Sequence, residues 1–376
     1  MRSTQNQPIV ALFSPSANAV SETFIQAHKD NIDSDVKFYT KGHIPTQLGD
    51  QPILRFKYQL EYFLKKKIHG DSGLSLDEFA LMKSLQEQKP DVVLCEYGDT
   101  AHHSLKVIKK LGIPMLVYFH GYDLSMYRTI SDNREYADVI GYASKLFVVS
   151  KTMEKKIRSF GAKPEQIVYN PYGPNEYYFN VKRSLKPKQQ FIAAGRLTNK
   201  KAPHLTILAF RKVLKKYPKA KLIIAGDGDL HQVCRDLINY YNIQKNVELP
   251  GVFNKEQLKK WLEQSAAFVQ HSVTAENGDQ EGTPVAVLEA LASGTPVVST
   301  KHTGINDIIV NNKTGYLVDE YDVDNMASKM ILILDEPAKS KEIGAAGREF
   351  IRQNFTFKLH IEKINQIIHA LYENQR

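Results

Sequence analysis

Residues Gly278 to Val298, Gly-Asp-Gln-Glu-Gly-Thr-Pro-Val-Ala-Val-Leu-Glu-Ala-Leu-Ala-Ser-Gly-Thr-Pro-Val-Val, read as loop, helix, stop and strand in a single run. Thr283 is the expected N-cap, because its hydroxyl can accept from an orphan backbone N–H. Pro284 is then the first helical residue, where a missing N–H costs nothing. Gly294 supplies the left-handed stop, and Thr295 to Thr300 resumes as a buried strand. Helix packed directly onto buried strand is the βαβ unit of a parallel sheet, so the chain is read as α/β. Two carboxylates sit oddly in this frame. Glu281 falls in the loop before the helix N-terminus. Glu289 lies inside the helix, with Val285, Ala286, Ala292 and Ser293 as its neighbours on the same face. A carboxylate on so apolar a face needs hydrogen-bond donors to offset its desolvation. A helix N-terminus beside Glu281 is an anion site. Together these features point to a ligand that carries both hydroxyls and phosphate.

The chain has 376 residues, enough for two domains with separate cores. A hydrophobic fraction of 42% and a charged fraction of 24% are those of an ordinary globular protein. The polar start, Met1 to Pro8, lacks the apolar core of a signal peptide, and no apolar run reaches the ~18 residues of a spanning helix. Cys95 and Cys234 are far apart and in no metal-ligand spacing, as expected of reduced cytosolic thiols. The net charge of +9 suits phosphate-bearing ligands or an anionic membrane surface, and equally a solvated basic face. Nucleic acid is not an expected partner, since the chain has no zinc pattern, RNA-recognition motif or groove-binding basic helix.

Apolar strands alternate with amphipathic helices throughout. Pro8 to Phe13 is a buried strand, followed by the loop Ser14 to Asn18 and a helix opening at Ser21 to Ile25. The loop has no glycine, which excludes a dinucleotide fingerprint. Val36 to Tyr39 is a second strand. Ile53 to Ile68 is a helical segment rich in aromatics, leucine and lysine. It reads either as an interfacial helix on anionic lipid or as a core-facing helix with a basic solvent side. Strands Asp91 to Cys95 and Pro114 to Phe119 flank a helix near Ala101 to Lys110, and the second strand ends at His120-Gly-Tyr-Asp123. Strand ends of this kind carry sites in α/β sheets. Tyr172 to Lys188 has no apolar period and is read as an inter-domain linker. The alternation restarts at Phe191 to Leu197, where Arg196 and Lys201 follow a strand. A forked guanidinium and a point-charge ammonium suit a diphosphate. Gly226-Asp-Gly-Asp229 reads only as a tight turn. Val323 to Leu334, Pro337 to Phe355 and Leu359 to Tyr372 are helical.

These pieces, taken in order, resemble the retaining glycosyltransferases of family 4. The Glu-x7-Glu pattern from Glu281 to Glu289, Gly195-Arg-Leu with Lys201, His120-Gly-Tyr-Asp123, Val148-Val-Ser150 and Gly315-Tyr-Leu-Val318 all stand in the family's order, across nearly the whole chain. The resemblance implies a GT-B fold, two Rossmann-like doubly wound domains with parallel sheets facing across a cleft. The expected boundaries are an acceptor domain at 1–180, a nucleotide-sugar domain at 181–355 and a C-terminal helix, 356–376, returning to the first domain. It implies that Glu281, with Gly282, Thr283 and Pro284, binds the donor sugar, and that Glu289 takes the ribose hydroxyls. Arg196 and Lys201 would neutralise the diphosphate, and His120 would reach the donor sugar. No Asp-x-Asp motif stands in the expected place, so no cofactor and no essential metal are expected. The implied partners are a UDP- or GDP-linked sugar and a saccharide acceptor, lipid-linked as in surface-polysaccharide enzymes, used in the cytoplasm or at the inner membrane face. A soluble sugar-phosphate acceptor and a non-catalytic nucleotide-sugar-binding subunit are the alternatives. The chain departs from the family pattern in its glycine-free first loop, in Ala202 for Gly, in Pro174-Asn175 for Val-Asp, and in Asn306 and Asp307 for Pro and Glu.

Overall fold

The computed structural model describes residues 7–17, 23–69 and 73–374. Asn18, Ser21 and Glu22, part of the expected first loop and helix start, lie outside them. The chain forms two compact units. The first comprises the described residues of Met1–Val149, Met153–Asn170 and Ile361–Arg376, and the second Ser150–Thr152 and Pro171–His360.

The first unit is built on an eight-stranded sheet in the order β4-β3-β2-β1-β5-β6-β7-β8. Its strands are β1 Ile9–Phe13, β2 Asp35–Thr40, β3 Gln47–Leu48, β4 Gln51–Pro52, β5 Val92–Glu96, β6 Met115–Phe119, β7 Lys145–Val148 and β8 Ile167–Tyr169. The pairs from β2 through β8 are parallel; β3 and β4 add a short antiparallel edge. β5 and β6 are buried along their whole length, which is why they read as continuous apolar runs rather than alternating ones. The last helix, Phe357–Glu373, contributes to this unit: Asn365 accepts from the backbone of Asp33, and Lys363 donates to the Tyr169 carbonyl.

The expected aromatic and basic segment forms the helix Phe56–His69. Tyr58 is buried, and Tyr62 packs on Phe79 of the neighbouring helix Leu76–Gln88. The leucine and phenylalanine positions do not face a core. Phe56, Leu60, Phe63, Leu64 and Ile68 are 80, 52, 60, 49 and 69% exposed. At 100° per residue they fall within an arc of roughly 140°. A core-facing helix would have buried that arc.

The second unit has a six-stranded, wholly parallel sheet in the order β11-β10-β9-β12-β13-β14. These strands are β9 Lys188–Ala194, β10 Lys221–Ala225, β11 Val247–Gly251, β12 Ser265–Gln270, β13 Val297–Thr300 and β14 Tyr316–Val318. The segment Tyr172 to Lys188 is not a bare connection. It contains a 3-10 turn, Glu176–Asn180, and buries Tyr172, Tyr178, Phe179 and Val181. Asn175 caps that turn by accepting from the Tyr177 N–H at 2.9 Å. Strand order reverses between β9 and β12, the crevice at which doubly wound sheets hold ligands. The loops carrying Arg196 and Glu281 are the ones that leave β9 and β12.

Candidate functional site

Six of the expected site residues other than glycine, namely Arg196, Lys201, Glu281, Thr283, Pro284 and Glu289, belong to the second unit, with Gly282 among them. The β9 loop is shaped by backbone contact with the β10 loop. Gly195 N–H donates to Ala225 O and Leu197 N–H to Asp227 O, each at 2.9 Å. Gly226 lies at φ +130°, and a Cβ there would sit 2.0 Å from the Gly195 carbonyl. The Gly-x-Gly pattern read as a tight turn is therefore also a close-approach surface that sets the Arg196 loop. Arg196 is exposed and forms no ion pair among the described residues. Ala202 adopts φ +35°, a left-handed conformation in which Gly is the unstrained choice. Its departure from the family pattern is thus a point of strain next to Lys201 and Pro203, which opens the helix Pro203–Leu214.

Lys201 reaches across to Glu281, Nζ to Oε2, at 2.9 Å. The Glu281 side chain is only 6% exposed. Burial alone would push its carboxyl up; the charges of Lys201 and Lys200 outweigh it and bring it to about 2. The second oxygen, Oε1, is buried and has no protein hydrogen-bond partner among the described residues. A buried, ionised oxygen of this kind calls for a donor, and a sugar hydroxyl is one. Lys200 was not singled out from the sequence. It is nearly buried, donates to Asp279 Oδ1 at 2.9 Å and to Gln280 O at 3.1 Å, and so closes the loop that presents Glu281. A cavity beside this pair is lined by Gly195, Arg196, Leu197, Lys201, Thr206 and Gln270.

The helix after Glu281 spans Val285–Ala292. Here the expectation needs correcting. Thr283 does not cap it; Pro284, at φ −73° and ψ 113°, is itself the N-cap, with no side-chain cap bond. Proline has no cap side chain to offer. Gly294 takes φ +74° as the stop, as expected. Within the helix, Glu289 lies against Tyr178, whose hydroxyl is its hydrogen-bonding neighbour. Burial pushes the Glu289 carboxyl up to about 8, against the pull of Tyr178. The side chain keeps a partly accessible edge. Tyr178 had no sequence signal, because the pairing spans more than a hundred positions of chain.

His120 stands at the end of β6 in the first unit. It is one arm of a buried cluster: His28 Nδ1–H and His120 Nε2–H donate to the two oxygens of Glu96 at 2.6 and 2.7 Å. Glu96 is fully buried, and burial opposes its charge, but the two histidines hold the carboxyl at about 2. Tyr118 stacks on His120, ring centroids 4.8 Å apart and planes 3° from parallel. Asp123 fixes the His-Gly-x-Asp turn by accepting from the N–H groups of His120, Gly121 and Gly98. Burial raises Asp123 to about 6 in spite of His120 and those bonds. Glu96 ends an apolar strand, where a charged residue needs a partner, but His28 sits on a polar helix and gives no such signal.

Comparison with known proteins bears on the family and the fold. The family model described as Glycosyl transferases group 1 matches residues 175–350. WcaL of Salmonella typhimurium, assigned to colanic acid biosynthesis as a glycosyltransferase, is 30% identical over 269 residues, spanning 70% of this chain and 66% of that one. The amylovoran biosynthesis glycosyltransferase AmsK of Erwinia amylovora is 27% identical over 286 residues, 75% of this chain and 70% of its own. The chain thus spans about two thirds of the length of these relatives. Among solved structures, HepE of Anabaena in complex with UDP and glucose superposes with a TM-score of 0.75 at 16% identity, over 97% of this chain and all of that one. Sucrose-phosphate synthase of Thermosynechococcus elongatus gives 0.75 at 17% identity over 98% of this chain and all of its own. These two likenesses show the fold, GT-B. Taken with the β9 and β12 loops, the family match leads to one conclusion: the chain belongs to the group 1 glycosyl transferases.

Proposed function

We propose that the chain is a retaining glycosyltransferase of family 4. It moves a hexose-type sugar from a UDP- or GDP-linked donor to a lipid-linked saccharide in cell-surface polysaccharide biosynthesis. One observation carries the reading: Glu281 presents a buried, ionised and unpaired oxygen, held by Lys201, directly before a helix N-terminus with no side-chain cap. The diphosphate lies on that N-terminus, with Arg196 and Lys201 as counter-charges. Glu281 Oε1 accepts from a donor-sugar hydroxyl, Glu289 from the ribose, and His120 turns toward the donor sugar. As the bond from the anomeric carbon to the diphosphate oxygen breaks, charge builds on the leaving group, and the two cations stabilise it. The acceptor oxygen bonds to the same face, and its proton passes to the departing phosphate oxygen. With two cations doing this, no essential metal is needed, and transfer should persist in EDTA.

The lipid-linked acceptor is supported by the exposed stripe Phe56, Leu60, Phe63, Leu64 and Ile68, on a helix that also carries Lys57, Lys65, Lys66 and Lys67. An exposed apolar band on a lysine-rich helix suits the inner face of an anionic membrane. No helix of the described residues is long and apolar enough to cross one. The test is radiolabel transfer from UDP-glucose, UDP-galactose, GDP-mannose or GDP-fucose to polyprenyl-diphosphate saccharides, with Glu281→Gln as control. Label in the lipid fraction, lost in the variant, is the expected result. Label only in a water-soluble product would mean a soluble acceptor, and no transfer from any donor would favour a binding subunit.

A further inference from the structure

Glu281 is held by more than Lys201. Its backbone N–H donates to His302 Nε2 at 3.2 Å, and its carbonyl accepts from Thr303 Oγ1 at 2.5 Å. A backbone N–H can only donate, so Nε2 of His302 is the lone-pair nitrogen and the ring proton is on Nδ1. That Nδ1–H donates to Glu320 Oε1 at 2.5 Å. The other oxygen, Oε2, accepts from the Thr274 N–H at 2.9 Å. Thr274 and Glu281 are the two ends of the β12 loop. One His–Glu pair, carried by the segments after β13 and β14, therefore grips both. Between them the loop closes on itself, through Ala275 N–H to Asp279 O at 3.0 Å and Gln280 Nε2 to Thr274 Oγ1 at 3.0 Å. His302 is buried, and so is Glu281.

A buried polar relay is a costly way to hold a loop, because each group must be desolvated and then fully paired. What it supplies that apolar packing cannot is a fixed direction for one N–H, and through it for the Glu281 side chain. Groups that orient a ligand-binding side chain act this way around catalytic sites and metals. Gly304 adds to the same contact: a Cβ there would lie 1.9 Å from the Gly282 carbonyl, so the segment after β13 approaches this loop backbone to backbone.

We propose that His302 and Glu320 are positioning residues that aim Glu281 Oε1 at the donor sugar. They set how strongly the sugar moiety, as opposed to the nucleotide, contributes to binding. The inference rests on the reading of Glu281 as the sugar-binding carboxylate. The test is isothermal titration of the full chain with UDP, UDP-glucose, GDP and GDP-mannose. The proteins are wild type, Glu281→Gln, His302→Phe, His302→Gln and Glu320→Gln. For the base that binds, His302→Phe should leave nucleoside diphosphate affinity within about twofold. The ratio of sugar-nucleotide to nucleoside diphosphate affinity should fall about tenfold or more, the worth of one hydrogen bond to a charged group. His302→Gln, which keeps an acceptor near the Nε2 position, should restore most of it. Nitrogen-15 spectra of the His302 ring should show the Nδ1–H tautomer in wild type and a mixture in Glu320→Gln, a milder variant that tests the relay if His302→Phe does not fold. Equal losses for nucleotide and sugar nucleotide would overturn the proposal in favour of a folding role. So would an intact ratio in His302→Phe beside an impaired one in Glu281→Gln. If Glu281→Gln itself leaves the ratio unchanged, the reading of Glu281 fails and this proposal falls with it.

Discussion

Replacing Glu281 with Gln removes the charge that Lys201 holds at 2.9 Å, and the structure sets the size of the effect. An unfolded glutamate titrates near ~4.3, and the folded carboxyl is brought to about 2. A difference of roughly 2.3 units at 1.36 kcal/mol each is about 3 kcal/mol of stability at neutral pH. Because the folded value is the lower one, this contribution is complete above about pH 5 and drains away as pH falls from ~4.3 through about 2. A unit the size of the second one loses about 2–4 °C per kcal/mol. Glu281→Gln should therefore lower its unfolding temperature by roughly 6–12 °C at pH 7, with the gap to wild type narrowing below about pH 4.5. Lys201→Met strands a buried carboxylate and should cost a similar amount, about 3 kcal/mol. The double variant should lose clearly less than the two singles together, because the second change removes a group already stranded. Differential scanning calorimetry between about pH 2.5 and 7 makes the measurement. Additive single losses, or a Glu281→Gln gap that does not change with pH, would refute the view that this ion pair holds the carboxylate charged.

Other outcomes follow from the same coordinates. Glu289 sits near 8, so below that pH the carboxyl is protonated, and two ribose hydroxyl donors should drive its proton off. Donor binding at pH 7 should then release a proton, seen as different apparent enthalpies in phosphate and Tris, and Glu289→Gln should erase the difference. The raised carboxyl also means that stability declines as pH climbs from ~4.3 to about 8, and Glu289→Gln should flatten that slope. Gly304→Ala forces a methyl to 1.9 Å from the Gly282 carbonyl and should weaken sugar-nucleotide binding at least tenfold, read by titration. Lys65, Lys66 and Lys67 changed together to Glu should cut co-sedimentation with anionic vesicles at least a hundredfold, at about 1 kcal/mol per lysine. No change would mean that the exposed stripe on Phe56–His69 serves another partner.

What was legible in the sequence was local. Buried strands such as Val92–Glu96 and Met115–Phe119 announce themselves as apolar runs, and Gly294 marks a helix end because its neighbours could not take φ +74°. The Glu281 and Glu289 carboxylates stand out because burying their charge is expensive; Glu281 is tolerated through Lys201, and Glu289 by keeping its proton beside Tyr178. The helix Leu76–Gln88 has a local signal, the capping box of Ser75 and Glu78. The short antiparallel edge β3–β4 had too few residues to show a period. Thr283 was read as the cap from residue type alone; what decided otherwise was Pro284 taking an extended ψ of 113°. The partners of the site residues were the least visible. Lys200, His302 and Glu320 gather around the Glu281 loop only because β9, β12, β13 and β14 run side by side, and Tyr178 reaches Glu289 from the turn before β9; nothing in their spacing says so.

The central claim is that the β9 and β12 loops bind a nucleoside diphosphate sugar. It is tested most directly by thermal unfolding with UDP, GDP, ADP and their sugars, in wild type and Arg196→Ala. A ligand at ~100 times its dissociation constant stabilises by about 2.7 kcal/mol, several degrees for this chain. A shift with one base and its sugar nucleotides, lost in Arg196→Ala, is the predicted result. No shift with any of them, or a shift that survives Arg196→Ala unchanged, would contradict it.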